Sequence, residues 1–138
     1  MAAAYIQTDG ACRGNPGPSG AGVVIRDASH KVVATKAEFI GEVTNNVAEY
    51  IALAKGLEAT IALGFSEVSI KMDSQVVVRQ VIGQYRVKET RLEILHAWVM
   101  DLLGHFDRWE IAHVRRELNA LADKLANDGI DNFLKVGA

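Results

Sequence analysis

Four carboxylates, Asp9, Glu49, Asp73 and Asp123, stand far apart along the chain, yet each keeps polar company. Asp9 lies in Y-I-Q-T-D-G-A-C-R-G-N-P-G, Glu49 in T-N-N-V-A-E-Y, Asp73 in I-K-M-D-S-Q, and Asp123 in E-L-N-A-L-A-D-K-L-A-N. Carboxylate oxygens suit hard divalent ions such as Mg²⁺, and paired ions can drive an in-line displacement at phosphorus. Each acid also has an ordinary structural role open to it. Asp9 before Gly10 could start an Asx turn. Glu49, three residues after Asn46, could close a capping box. Asp73 beside Ser74 could favour a helix start, and Asp123 could be a solvated helix residue. That all four should point at one corner by accident is far less expected than any one of these roles alone.

Elements must carry these acids to one place. The sequence predicts a strand opening over Tyr5 to Thr8, a Gly/Pro-rich connection from Gly10 to Gly20, and a second strand at Val23-Val24-Ile25-Arg26. Asp27 to Lys31 reads as a turn and Val32 to Ile40 as a third strand, which makes an antiparallel meander. The apolar period then lengthens to a helical one, with Val47, Tyr50, Ile51, Ala54, Leu57 and Ile61 as a stripe that stops at Gly64. Val68, Ile70 and Met72 alternate as a fourth strand, Ser74 can cap a helix through Val76, Val77, Gln80 and Val81, and another helix is expected from about Leu92 to Leu103. Trp109, Ile111 and His113 alternate as a fifth strand. Leu118, Leu121, Ala122, Leu125 and Ala126 then form the buried stripe of a closing helix that ends near Gly129. Asn119 and Asp123, four apart, share a polar face of that helix. Asp128 to Ala138 is expected to be a mobile tail or a frayed helix end.

The order βββαβααβα implies an α/β fold with a five-stranded mixed sheet flanked by helices, its first, fourth and fifth strands parallel. Asp9 and Asp73 then fall at the carboxyl ends of parallel strands, where sheets of this kind gather their ligands. The 138 residues fit one domain, with a core over residues 4–128 and a tail over 129–138. Hydrophobic content of 49% with 23% charged residues suits a globular chain, and no stretch approaches a membrane-spanning helix. The M-A-A-A start has no secretory pattern and Cys12 is the only cysteine, so a cytoplasmic protein without disulfides is expected.

A net charge of −2 does not advertise a general nucleic-acid binder. Residues 71–91 nevertheless hold Lys71, Arg79, Arg86, Lys88 and Arg91 against Asp73 and Glu89, either a solvated helix face or an edge that tracks phosphates. The run G-N-P-G-P-S-G-A-G could cradle phosphates, but it leads into a strand instead of a helix, so a dinucleotide or P-loop reading fails, while backbone exposure to a substrate stays open. Cys12 has no histidine placed to activate it, and His30, His96, His105 and His113 do not form a metal-site pattern.

Taken together, T-D-G-A-C-R-G-N-P-G, T-N-N-V-A-E-Y, M-D-S-Q and N-A-L-A-D occur in the order of the type 1 ribonuclease H family, which the chain resembles over roughly residues 4 to 128. The resemblance implies the ribonuclease H-like fold and cleavage of the RNA strand of RNA/DNA hybrids, leaving 5′-phosphate and 3′-hydroxyl ends. It implies that Asp9, Glu49, Asp73 and Asp123, with Gly10 beside them, hold two Mg²⁺ ions, Mn²⁺ being a substitute. It places Asn15, Asn45, Asn46 and Gln75 across the minor groove of the hybrid and Thr44 at a DNA-strand phosphate, with Cys12, Ser74, Asn119, Arg115 and Arg116 as further substrate contacts. A monomer acting on the hybrid, without a membrane partner, is the expectation.

Three departures from the family's best-studied bacterial pattern stand out. Val114-Arg115-Arg116-Glu117 is short and lacks the histidine that many members carry before the last helix, so Arg115 or Arg116 becomes a candidate electrostatic substitute. Gly83 to Arg91 leaves no room for a basic protrusion, which implies weaker hybrid affinity, and Glu42 stands where an arginine often completes the phosphate pocket. The short-loop form is similar to some archaeal and actinobacterial members. Two other readings compete: a hybrid-binding module without catalysis, against which the complete acid set argues, and a resolvase or transposase core, which the T-N-N, D-S-Q and G-N-P-G motifs disfavour.

Overall fold

Residues 2–137 are described by the computed structural model of the chain. The N-terminal third forms β1 (Ala3–Cys12), β2 (Gly17–Arg26) and β3 (Val32–Val43), paired as the antiparallel meander. There follow α1 (Asn45–Ala62), β4 (Glu67–Met72), α2 (Gln75–Val81), α3 (Thr90–Leu103) and β5 (Arg108–His113). A short 3₁₀ turn (Arg116–Asn119) then leads into α4 (Ala120–Gly137). The sheet order is β3-β2-β1-β4-β5, with β1/β4 and β4/β5 parallel, which is the mixed five-stranded sheet that the element order implies. No helix among the described residues is long and apolar enough to cross a membrane.

One face of the sheet holds the apolar core. Ile6, Val23, Ile25, Ile70 and Met72 point at the inner side of α1, where Tyr50, Leu53 and Leu57 are fully buried, and Val99 and Leu103 of α3 close the layer. Burying side chains of this size stabilises by about 1.5–3 kcal/mol each, so α1 is the best-anchored helix near the acids. Its buried hydroxyls are satisfied: Tyr50 Oη donates to Gln80 Oε1 of α2 at 2.6 Å, and Thr60 Oγ1 to the Gly56 carbonyl at 2.7 Å. Burial pushes the Tyr50 phenol up to about 12, so it stays a donor across the ordinary pH range.

The other face is built by close approach. The stretch from Gly10 to Gly20, which composition marks as a connection, is mostly strand, and only residues 13–16 join β1 to β2. The cause lies in α4. A Cβ on Gly22 would sit 2.0 Å from Ala122 O, and one on Gly20 2.0 Å from Ala126 O. These glycines let the helix backbone rest on β2, and they do not form a phosphate cradle.

That closeness also corrects the stripe expected for the last helix, keeping its alanines inside and turning Leu118 and Leu121 out. Ala122, Ala126 and Ile130 face the sheet with no exposure, while Leu118 and Leu121 are 59% and 40% exposed. Large side chains cannot fit where the backbones meet, so they are turned outward. The expected helix end at Gly129 and the tail beyond it are overturned as well, since α4 continues to Gly137. Gly129 is a contact point instead: a Cβ there would lie 2.7 Å from the Glu38 backbone of β3. Past it, Ile130 is buried and the ring of Phe133 stacks on Phe39 with centroids 3.7 Å apart. Ala138 lies outside the described residues.

Candidate active site

Asp9 and Asp73 come from neighbouring parallel strands. β1 and β4 pair in register up to Gln7 and Lys71, and two residues further each strand presents its acid. Glu49 arrives from the second turn of α1 and Asp123 from the first turn of α4. Carboxylate oxygens of Asp9, Glu49 and Asp73 lie within 4.8 Å of one another. Asp123 is not part of that tight trio, but its carboxylate, like that of Asp73, is within hydrogen-bond reach of Asp9. All four line one open cleft of about 400 Å³, which Gly10 and Arg116 also line.

The structural roles considered for these acids are largely set aside by their partners. Glu49 does not turn back to cap α1. Its Oε1 accepts the backbone N–H of Gly10 at 2.8 Å, so the helix acid is clipped to the end of β1. Asp73 stands just ahead of α2, and the cap is Ser74, whose hydroxyl accepts from the Val77 N–H at 3.4 Å. Ser74 thus caps its own helix as an acceptor and keeps its hydroxyl hydrogen free to donate.

Crowding dominates the electrostatics. Burial, and then the charges of Glu49 and Asp73, push the Asp9 carboxyl from 3.8 up to about 10. Burial raises Glu49 from 4.5 to about 8, opposed by the Gly10 N–H and the Arg116 charge and helped by Asp73 and Asp123. Acids forced together in this way hold a proton near neutral pH unless a cation replaces it. An all-oxygen donor set at this spacing fits a hard divalent ion.

The expected substrate contacts differ in where the fold places them. Asn15, Asn45 and Asn46 are exposed at the rim, with the Asn45 N–H donating to Asn15 Oδ1 at 3.0 Å, which ties the β1–β2 loop to the start of α1. Gln75 is exposed at the first turn of α2, beside Arg79, and Thr44 is the half-buried residue preceding α1. Cys12 lines the cleft, but its thiol is directed at the Gly14 and Val43 carbonyls, the latter at 3.0 Å. Arg116 faces the acids, whereas Arg115 is exposed without a contact to them among the described interactions. Asn119 needs correction: it has no exposed surface, and its Nδ2 donates to Thr8 O at 2.9 Å and approaches Asp73 Oδ1 at 3.5 Å. A buried amide committed to the protein cannot reach a ligand.

Sequence reasoning missed Asn127 and Arg13. Asn127 lines the cleft one turn after Asp123, and its Nδ2 donates to the Asp123 carbonyl at 3.0 Å. Arg13 reaches Asn127 Oδ1 at 3.3 Å and pairs with Asp131 at 2.7 Å, fastening the β1–β2 loop to α4. The four-residue spacing of Asp123 and Asn127 was the available signal. Arg13 had none, because its partners lie at the far end of the chain.

Comparison with known proteins agrees with this geometry. The model of the family described as reverse transcriptase-like matches residues 7–129. A bifunctional protein of Mycobacterium tuberculosis is 43% identical over 127 residues, which are 91% of this chain, and the chain spans only 35% of that relative's length. The crystal structure of RNase H1 from Halobacterium salinarum superposes with a TM-score of 0.92 at 39% identity, covering 94% of this chain and 98% of that one. LC11-RNase H1, solved in complex with an RNA/DNA hybrid, gives a TM-score of 0.90 at 42% identity, covering 95% and 99% of the two chains. With its four acids gathered at one corner of the matching fold, this chain belongs to the ribonuclease H family, in its reverse transcriptase-like group.

Proposed function

We propose that this chain hydrolyses the RNA strand of RNA/DNA hybrids, leaving 5′-phosphate and 3′-hydroxyl ends. The observation that carries the reading is the convergence of Asp9, Glu49 and Asp73 within 4.8 Å at the ends of β1 and β4, with Asp123 against Asp9. The hybrid-bound LC11 relative supports the choice of substrate.

On this reading Asp9, Glu49, Asp73 and Asp123 hold two Mg²⁺ ions, or Mn²⁺ in their place. When bound, such a pair supplies Lewis-acid charge for an in-line displacement at phosphorus. The chain's own residues prepare the ground. The Gly10 N–H fixes the orientation of Glu49, and Arg116 places positive charge beside acids that would otherwise repel a phosphate. Asn15, Asn45, Asn46 and Gln75 offer exposed amides at the rim, suited to the 2′-hydroxyls and shape of a hybrid minor groove. Thr44 is assigned to a DNA-strand phosphate. The chain is taken to act as one domain and as a monomer, in the cytoplasm, where a free Cys12 thiol is stable.

The test is cleavage of an end-labelled RNA/DNA hybrid with Mg²⁺ or Mn²⁺, beside EDTA, single-stranded RNA and duplex DNA. Cation-dependent cutting confined to the RNA of the hybrid is expected. Hybrid binding without cutting under either ion would replace the proposal with a non-catalytic binding module.

A further inference from the structure

A polar chain runs from the surface to Asp73 along the face of β1 that carries Asp9. Side chains alternate along a strand, so Gln7 and Asp9 emerge on the same side of β1. Arg26, at the end of β2, donates to Gln7 Oε1. The Gln7 amide nitrogen donates onward to the Leu118 carbonyl at 2.8 Å and to Asn119 Oδ1 at 3.4 Å. Asn119, fully buried, divides its own NH₂ between Thr8 O at 2.9 Å and Asp73 Oδ1 at 3.5 Å.

We propose that Gln7 is a positioning residue for the acid site, holding Asn119 and the 3₁₀ turn so that Asp73 and Asp123 keep their places around Asp9. Three features carry it. Leu118 and Asn119 end the turn that leads into α4, and Asp123 lies four residues past Asn119, so a clamp on this turn sets where Asp123 enters the cleft. The Asn119 amide is orientable in two ways, and the Gln7 donor on Oδ1 acts with the Thr8 carbonyl on NH₂ to select the one that faces Asp73. Arg26 in turn occupies Gln7 Oε1, which leaves the Gln7 NH₂ as the inward end. Every amide hydrogen and oxygen in the relay therefore has a defined direction, with charge-assisted pairing at its outer end.

This role rests on the proposed hydrolytic activity, so the experiment measures both. Mg²⁺ binding to metal-free protein by calorimetry and steady-state cleavage of the hybrid would be compared for wild type, Gln7→Leu and Arg26→Met, each checked for folding by circular dichroism. Outer residues that orient metal ligands typically matter at about the tenfold level, so Gln7→Leu should weaken Mg²⁺ binding and lower kcat about tenfold while KM for hybrid stays unchanged. Arg26→Met, farther out and half-exposed, should show the same pattern with a smaller loss, and it carries the test alone if Gln7→Leu does not fold. A folded variant set with wild-type Mg²⁺ affinity and kcat would overturn the relay and leave the activity standing. A wild type that neither binds the ion nor cuts the hybrid would overturn the activity and the relay's purpose with it. A loss confined to KM would overturn the relay too, since it would place Gln7 in hybrid binding.

Discussion

The backbone N–H of Gly10 donates to Glu49 Oε1 at 2.8 Å, and the Gly10 Cα lies so close to α1 that an added Cβ would meet the Ala48 carbonyl carbon at 2.3 Å. The two facts are one arrangement, because the missing side chain is what lets the strand end reach the helix acid. Gly10→Ala must therefore push β1 and α1 apart. A stability loss of about 3 kcal/mol is expected, the upper range for overpacking against rigid backbone, together with weaker Mg²⁺ binding as Glu49 loses its donor. Urea denaturation and ion calorimetry would check it, and a wild-type midpoint would contradict the packing argument.

Thr8 offers the opposite case. Its side chain is fully buried beside Asp9, and its Oγ1 has no hydrogen-bond partner among the described residues. It faces α1, where a Cβ on Gly56 would come within 2.9 Å of Thr8 Cγ2. Thr8→Val keeps the shape and removes the stranded hydroxyl, so it should raise stability by about 1 kcal/mol. A destabilised valine variant, seen as a lower denaturation midpoint at equal slope, would show that the hydroxyl is in fact satisfied.

The element order, the parallel pairing of β1, β4 and β5 and the convergence of the acids were legible because each follows from a local signal. Changes of apolar period mark the elements, and Asp9 and Asp73 follow strand residues that alternate cleanly. The inward turn of Asn119 was not legible. Leu118, Leu121 and Leu125 fall with Ala122 and Ala126 in one apolar stripe, and only the glycines of β2 decide that the alanines meet the sheet while Leu118 and Leu121 turn outward. Such a preference belongs to a pair of elements distant in sequence, so neither element declares it alone. The same holds for Glu49, whose spacing from Asn46 suits a cap, while its partner Gly10 sits 39 positions away.

The last turns of α4 carry a prediction because their place at the end of the sequence suggests a loose tail. Ile130 is fully buried and Phe133 stacks on Phe39 of β3. Ile130→Ala should cost about 2–4 kcal/mol, and Phe133→Ala about 1 kcal/mol, as a half-exposed stacked pair. Thermal unfolding of the two variants gives the comparison. Equal and negligible shifts would restore the picture of a loose tail.

Removing the charge of Asp9 should stabilise the protein when no cation is present, and pH decides by how much. Asp9 is pushed up to about 10 and Glu49 to about 8, above the 3.8 and 4.5 they would have in an unfolded chain. Acids raised in this way contribute stability that is fully present below the unfolded values and is lost as pH climbs toward the folded ones. In EDTA the wild type should therefore lose stability steadily from about pH 4 toward pH 10, the window bounded by those values. Asp9→Asn removes the most perturbed acid of the cluster. Its melting temperature should fall less steeply over pH 5 to 9 and exceed that of wild type at pH 8, by stability on the order of 2 kcal/mol. Added Mg²⁺ should reverse the ranking, because the wild type can exchange its protons for the ion and the asparagine variant lacks a central ligand. Parallel melting curves in EDTA would mean that the acids are already relaxed, and the crowding invoked for the site would have to be given up.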